Sequence, residues 1–359
     1  MVTNLPENAK AQWKRVVAAR TPQEKLRELQ KFYAMIPKHK GTKNLVKYIR
    51  RKISVLKEEI EESKRKYRGA RYISSWEQKV QGVARLAIVG FDASAQKELF
   101  ETLSGRKLET YFIYEPVYGV LEEFGVQFQL ALLPSVERNS RLSDRVFSYL
   151  QTSKLVFFAS TSENFEDFNA FRELAESEGI ILRKIEGEVC IEKTVSGGIR
   201  VVGSVTDASN EDIIRLLQSY GIRNAIVKLV GKVSIDDVEN EILGIKRYIQ
   251  CLPLKKHDSY LLIKEGGKIL KFEDKKELIS FILRKLSLIR IYTKTYGGPV
   301  SEKPFVIKEG ATVEDLAREI HSRLIKYFRY AIIWREGKSI RVSRNFILQD
   351  GDIVEIRAY

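Results

Sequence analysis

The chain has 359 residues, enough for two or three domains, and its 44% hydrophobic and 30% charged content is that of a globular rather than a disordered protein. It holds no apolar run of about 18 residues and begins with the polar segment Met1 to Asn8. This argues against a membrane span or a secretory signal and makes the cytoplasm the expected compartment. The net charge of +15 is unevenly placed: residues 1–71 hold 20 Lys and Arg against 7 Asp and Glu, residues 72–287 hold 29 against 31, and residues 288–359 hold 13 against 9.

Such a basic N-terminal block is the footprint of a surface that contacts a phosphate backbone. The alternative is a solvated helical surface in a thermophile-like chain, rich in Lys, Glu and Arg with only two Met and two Cys. That composition accounts for many charges but not for their one-sided balance.

Thr21-Pro22-Gln23-Glu24 is a capping box with proline at the first helical position, so a helix is predicted from there to about Met35. Ile36 to Thr42 breaks it, and Thr42 is placed to cap a second helix. There Leu45, Ile49, Ile53, Leu56 and Ile60 form one apolar stripe, while Lys43, Lys47, Arg50, Arg51, Lys52 and Lys57 cover other faces. The stripe needs a partner, and the nearest is the preceding helix with Val16, Val17, Leu26, Leu29 and Phe32. The expectation is a basic helical hairpin over residues 1–71, ending in a hinge at Lys64-Arg65-Lys66-Tyr67-Arg68.

From residue 83 the pattern changes to short apolar runs alternating with amphipathic segments, which predicts an α/β sheet over residues 72–287. Strands are expected at Leu86–Val89, Val126–Leu133 and Leu155–Ala159, with helices over Gln96–Leu103 and Phe168–Glu178. A second βα series lies at about 183–247: strands at Glu188–Ile191, Ile199–Val202 and Asn224–Val230, and helices over Asn210–Tyr220 and Ser234–Ile245. Gly266-Gly267 marks a hairpin turn within Leu261–Leu270, and a helix over Lys275–Leu286 ends the domain. Residues 288–359 read as a β-rich unit: strands Leu288–Thr293, Phe305–Ile307, Ala331–Trp334 and Ile353–Ile356, a helix Thr312–Tyr327, and a tight turn at Gln349-Asp350-Gly351-Asp352. This order of elements is that of a ubiquitin-like β-grasp.

The segment Ala84 to Glu98 has the layout of a phosphate-binding strand, loop and helix start. The P-loop pattern G-x-x-x-x-G-K-[ST] needs glycines so that backbone N–H groups can wrap phosphates, a Lys for the β- and γ-phosphates, and a hydroxyl for magnesium. Only Gly90 survives. Ala95 stands at the second glycine, Gln96 at the lysine and Lys97 at the hydroxyl.

Ile36-Pro37-Lys38-His39-Lys40-Gly41-Thr42, the runs Ser204–Asp212, Tyr220–Ala225 and Val233–Asp237, and the C-terminal runs Leu288–Lys294, Lys308–Leu316 and Gln349–Ile356 together resemble the developmentally regulated GTP-binding proteins, a branch of the Obg-like translation GTPases. The resemblance covers almost the whole chain. It implies a P-loop GTPase-like, Rossmann-like sheet with a ribosomal-protein-like βα insertion, followed by a TGS domain of β-grasp fold, and it implies association with ribosomes or ribosomal RNA during translation. Those GTPases also work with small companion proteins; otherwise a monomer is expected.

The departures from that family are concentrated in its nucleotide site. Its switch II element, Asp-x-Pro-Gly, corresponds to Leu132-Leu133-Pro134-Ser135, so a leucine replaces the aspartate of the magnesium shell and Ser135 the glycine that meets the γ-phosphate. The guanine-reading Asn-Lys-x-Asp aligns with Lys255-Lys256-His257-Asp258, keeping Lys256 and Asp258 and losing the Asn; the late Ser-Ala element is not recognisable near Ile269 to Phe272. Gly90, Gln96, Lys97, Ser135, Lys256 and Asp258 therefore read as a vestigial nucleotide site with no catalytic residues and no tightly held GTP, magnesium or other cofactor. Charge-assisted contacts are worth about 1.5–3 kcal/mol each, so losing several costs decades of affinity at about 1.4 kcal/mol per decade. Two other readings stay open: a weak GTPase using Lys97, Lys256 and Asp258 in unconventional geometry, and a protein-interaction scaffold that regulates an active relative.

RNA-contact candidates in the basic block are Lys10, Lys14, Arg15, Lys38, His39, Lys40, Lys43, Lys47, Arg50 and Arg51. Trp13, Tyr33 and Tyr48 are interleaved either as stacking groups or, with Phe32, as hairpin core. In the C-terminal unit Arg290, Tyr292 and Lys294 alternate along one strand and so share a face, open to RNA or simply to solvent. No metal site is expected, because His39, His257 and His321 lie in separate segments without ligand spacing. Asp236-Asp237 is explained by a helix start, and Cys190 and Cys251 read as reduced core thiols.

Overall fold

The computed structural model describes residues 5–66, 75–109, 114–137, 140–182, 187–244 and 248–358. At its centre is a seven-stranded sheet in the order Lys268–Phe272, Tyr260–Glu265, Cys251–His257, Leu155–Ala159, Arg85–Val89, Val126–Leu132, Val117–Glu123. The four central strands run parallel, and the outer ones pair antiparallel. Every residue of Arg85–Val89 and of Leu155–Ala159 is buried, as parallel strands covered on both faces must be. Successive side chains of one strand feed opposite cores. Leu86 and Ile88 pack with Leu99, Phe100 and Leu103 of helix Ala93–Ser104 and with Leu278 and Ile282 of helix Lys275–Lys285. Ala87 and Val89 pack with Val146 and Phe147 of helix Arg141–Leu150 and with Phe171 and Ala175 of helix Glu166–Ser177.

Two of these elements carry no clear signal in the sequence. The edge strand Val117–Glu123 is mostly half-exposed, and its Gly119 and paired Glu122-Glu123 depress strand propensity. Helix Arg141–Leu150 is short and capped only by Ser140, whose hydroxyl accepts from Leu142 N at 3.2 Å.

The inserted unit pairs strands Gly187–Lys193, Ala225–Gly231 and Ile199–Val202 into one sheet, with helices Asn210–Ser219 and Ile235–Leu243 on one face. Both helices start in capping boxes, at Ser209 and Ser234. Asp237 supplies the N3 carboxylate of the second box, so this member of the Asp236-Asp237 pair is structural.

The N-terminal block differs from the expected hairpin. It has three helices, Glu7–Ala18, Pro22–Met35 and Lys43–Lys66. Thr21 closes the predicted capping box with Glu24. Thr42 is not a helix cap. It lies fully buried in a 3-10 turn, Lys40–Thr42, and its hydroxyl donates to the carbonyls of Pro37 and His39. Val17 is 56% exposed and no part of the core. The block does not bury its apolar faces by itself: Trp13, Leu29, Phe32, Leu45 and Ile49 share one continuous core with Ile213, Leu216, Leu217, Tyr220 and Val227 of the insertion. The Tyr48 hydroxyl donates to Gly244 O at 2.6 Å, and Arg51 reaches Glu178 on the opposite side. Tyr67 and Arg68 of the expected hinge lie outside the described residues; Lys64 to Lys66 still belong to the long helix.

The C-terminal sheet runs Phe305–Lys308, Leu288–Thr293, Ile353–Ala358, Phe328–Arg335, Lys338–Val342. One face packs on helix Val313–Ile320 through Ile289, Ile291, Val313, Leu316, Ala331, Ile333 and Val354. The single helix expected over Thr312–Tyr327 ends at His321, whose extended backbone starts a second short helix, Ser322–Lys326. Among the described residues no helix is long and apolar enough to cross a membrane. Both cysteines are unpaired and half-buried. Cys251 packs at the edge of a core, where burial pushes its thiol up from the usual range, whereas Cys190 lies outside the core clusters, contrary to expectation.

The shared core makes removal of the basic block destructive. Deleting residues 1–66 should expose Ile213, Leu217 and Tyr220, and limited proteolysis should then cut within residues 187–244 faster than it does in the intact chain. Tyr48→Phe, read by chemical denaturation, should cost about 1 kcal/mol through the lost bond to Gly244.

Candidate functional site

The strand Arg85–Val89 delivers Gly90 to the carboxyl edge of the sheet, where phosphate-binding loops lie in folds of this kind. A P-loop needs the residues between its two glycine positions free to wrap an anion. Here the helix already begins at Ala93, so positions 93 to 95 are helical. Asp92 is the reason. Its carboxylate caps the helix, accepting from Ala95 N at 2.7 Å, while its carbonyl accepts from Gln96 N at 3.1 Å. A carboxylate of the chain itself thus takes the helix N-terminus that would otherwise be offered to a phosphate. Phe91 anchors the shortened loop, its ring edge-on to Phe158 and Phe171 at 5.7 and 6.1 Å.

Gly90 has a packing reason to persist. A Cβ there would come within 3.0 Å of Ala159 O and 3.1 Å of Gln96 Cγ.

Gln96, at the lysine position, is fully buried. Its Nε2 donates to Leu133 O at 2.8 Å, and its Oε1 accepts from Ser135 Oγ at 2.7 Å. Val136 N donates to Gly90 O at 2.9 Å. The segment after the central strand is therefore stapled to the loop after the first strand, and the space between them is filled by an amide and a hydroxyl. Leu132 and Leu133, in place of a magnesium-shell carboxylate and its neighbour, are each 1% exposed.

Lys97 turns along its own helix toward Glu101 at 3.9 Å. Lys256 lies within the strand Cys251–His257 and pairs with Glu98 of the loop helix at 3.2 Å. Asp258 sits in the two-residue turn joining that strand to Tyr260–Glu265, its side chain fully exposed. The open loop that a guanine reader requires is thus a tight hairpin. The segment around Ile269 to Phe272 is the antiparallel edge strand of the sheet.

The residues at the positions that would meet GTP and magnesium are engaged within the chain: Ala95 N donates to Asp92, Gln96 bonds Leu133 and Ser135, and Lys97 turns to Glu101. Among the described residues no cluster of three or more His, Cys, Asp or Glu could hold a metal ion.

The basic block keeps part of its candidate surface. Lys43, Lys47 and Arg50 recur at helical spacing on one face of the long helix, Lys57 extends the stripe, and Lys38 and His39 adjoin it on the preceding loop. The stripe spans about 21 Å at ~1.5 Å per residue. Arg15 is exposed on the first helix. Other candidates are occupied. Lys10 lies over the Tyr220 ring at 5.4 Å, and the Lys14 stem lies against Gly221. Arg51 is 4% exposed and donates to Glu178 O and Oε2 at 2.6 and 2.8 Å. The side chain of Lys40 lies outside what is described. Trp13 and Tyr48 are buried, with Trp13 tilted on Phe32 at 5.0 Å, and Tyr33 is half-buried against the same core, so the hairpin aromatics are core rather than stacking groups.

In the C-terminal unit Arg290 does not face outward as a free contact. Its guanidinium grips Asp350 with bonds of 3.1 and 2.6 Å and its backbone N–H donates to the same carboxylate, which holds the Gln349–Asp352 turn. Tyr292 is half-buried, and Lys294 Nζ lies 4.9 Å over the Trp334 ring. Sequence reasoning missed Asp92 and the outward residues of Phe328–Arg335 and Lys338–Val342. The N-cap pattern Asp92 to Ala95 and the alternation Tyr330, Ile332, Trp334 were the available signals.

Double-mutant thermodynamics tests the staple. Gln96→Leu should cost about 1–3 kcal/mol by stranding the Leu133 carbonyl and the Ser135 hydroxyl, and Ser135→Ala about 1 kcal/mol. The double variant should cost less than the sum, because the two side chains satisfy each other. Additive losses would mean that they do not.

Compared with known proteins, residues 289–358 match the TGS domain. Over 93% of its length the chain is 25% identical to an uncharacterized GTP-binding protein of Methanocaldococcus jannaschii, spanning 92% of that protein. It is 26% identical to developmentally-regulated GTP-binding protein 1 of Xenopus laevis over 77% of this chain and 82% of that one. The solved YchF GTPase of Schizosaccharomyces pombe aligns over 79% of this chain and 100% of its own at 12% identity, with a TM-score of 0.36. The C-terminal unit is thus a TGS domain, joined to a mixed α/β body, and the similarity to GTP-binding proteins runs through most of the chain.

Proposed function

We propose that this chain is a ribosome- or RNA-associated translation factor in which a GTPase framework has lost GTP binding and hydrolysis and serves as a scaffold between two recognition modules. The observation that carries the first half is the filled loop: Asp92 on the helix N-terminus and Gln96 bonded to both Leu133 and Ser135. The second half is supported by the basic stripe of the long helix and by the TGS domain. It acts in the cytoplasm, alone or with a small companion protein.

The weak-GTPase reading finds no support in the placement of Lys97, Lys256 and Asp258. The two lysines are engaged by Glu101 and Glu98, and the aspartate points into solvent.

Titration calorimetry with GTP or GDP and magnesium should give no saturable heat in the micromolar range; micromolar, magnesium-dependent binding would refute the loss. Co-sedimentation with ribosomes tests the other half. The triple charge reversal Lys43→Glu, Lys47→Glu, Arg50→Glu leaves the shared core intact, unlike a truncation. It should abolish sedimentation at low salt, and the wild-type interaction should fall steeply between about 50 and 200 mM salt. A salt-insensitive complex untouched by the triple variant would point to a protein partner instead.

A further inference from the structure

The face of the TGS sheet turned away from its helix carries an ordered array that the sequence reading saw only at one edge. Cross-strand register puts Tyr292, Ile353 and Trp334 in one row, Glu355, Ile332 and Arg341 in the next, and Arg357 beside Tyr330 in a third. The core-facing residues Ala331, Ile333 and Val354 alternate with these, so the set lies on the face away from that core, with Glu355 buried among its neighbours.

Cations lie on the rings of this face. Arg341 Cζ is 3.8 Å from the Tyr330 centroid, Arg357 Cζ is 3.8 Å from that of Tyr296, and Lys294 Nζ is 4.9 Å from that of Trp334. Arg357 is neutralised by the buried Glu355 at 2.5 Å, whereas Lys294 and Arg341 have no carboxylate partner in the ion pairs among the described residues. Arg341 is exposed, Tyr296 is 80% exposed, and Trp334 and Tyr330 are half-buried. A flat apolar surface with uncompensated positive charge suits a ligand that is both planar and anionic.

We infer that this face binds unpaired RNA, with bases stacking on Trp334 and on the outer plane of the Arg341 guanidinium, which itself lies on the Tyr330 ring, and phosphates meeting Lys294 and Arg341. Trp334 and Tyr330 are four residues apart on one strand, about 13 Å at ~3.3 Å per residue, room for two or three splayed bases on a sheet, the spacing used by stacking platforms in general. Duplex RNA keeps its bases inside and presents only phosphates, so the same face discriminates against it. The inference rests on the RNA-association reading above and narrows it to a chemistry and a surface.

The test uses the full chain and fluorescence anisotropy with a labelled unstructured RNA oligomer, against a duplex of equal charge. Single strands should bind at least about tenfold more tightly than the duplex. Trp334→Ala and Tyr330→Ala should each weaken single-strand binding about tenfold, while the conservative Trp334→Phe should largely retain it; Arg341→Gln, exposed and harmless to folding, should reduce both affinity and the salt slope. Equal affinity for duplex and single strand, or an Arg341→Gln variant indistinguishable from wild type, would overturn the proposal. Ribosome co-sedimentation of the same variants separates the two levels. Sedimentation retained while the oligomer ignores this face removes the platform and leaves the ribosome reading standing.

Discussion

The amide of Gln96 is the contact on which the state of the whole sheet edge depends. It is buried, it has donors and an acceptor at one end of a short stem, and each faces a group that would otherwise be stranded: the Leu133 carbonyl and the Ser135 hydroxyl. A lysine in that position would place a charge in a dry site and would need an anion to accompany it. The neutral amide needs none. Asp92 completes the arrangement from the other side by supplying the helix N-terminus with a carboxylate that is always present. The helix start after Gly90 and the segment after the central strand are thus bonded to Asp92 and to each other.

A framework held this way can keep other parts in fixed relation. The basic helices share their core with the insertion, and Arg51 ties the long helix to the main sheet through Glu178, beside the Phe147 ring at 5.7 Å. Recognition of a large, irregular partner such as folded RNA requires that kind of fixed geometry between distant contacts, since each contact alone is worth little once salt screens it.

The legible parts of the sequence were those where local pattern and tertiary role agree. Buried parallel strands such as Leu155–Ala159 announce themselves as unbroken apolar runs, and capping boxes at Thr21, Ser209, Ser234 and Thr312 mark helix starts. The edge strand Val117–Glu123, half in solvent and interrupted by glycine, gives no such signal. The apolar stripe of the long helix correctly demanded a partner. Sequence distance alone could not say that the insertion, some 150 residues on, would share it: a periodic stripe states that a face is buried and not against what. The same limit governed the site. Missing P-loop residues were readable one by one, whereas the bond between Gln96 and Ser135 joins positions that only the sheet brings together. Arg51 and Arg290 looked like surface cations because charge, in a sequence, carries no mark of its partner; Glu178 and Asp350 supply those marks in three dimensions.

Amide hydrogen exchange across residues 90–104 and 132–137 tests the locked site most directly, measured without nucleotide, with GTP and magnesium, and with GDP and magnesium. The account predicts superimposable protection in all three, with the Ala95 and Gln96 amides already slow in the absence of ligand because Asp92 holds them. Protection that appears at Ala93 to Lys97 only with nucleotide, or that differs between GTP and GDP after Leu132, would contradict it.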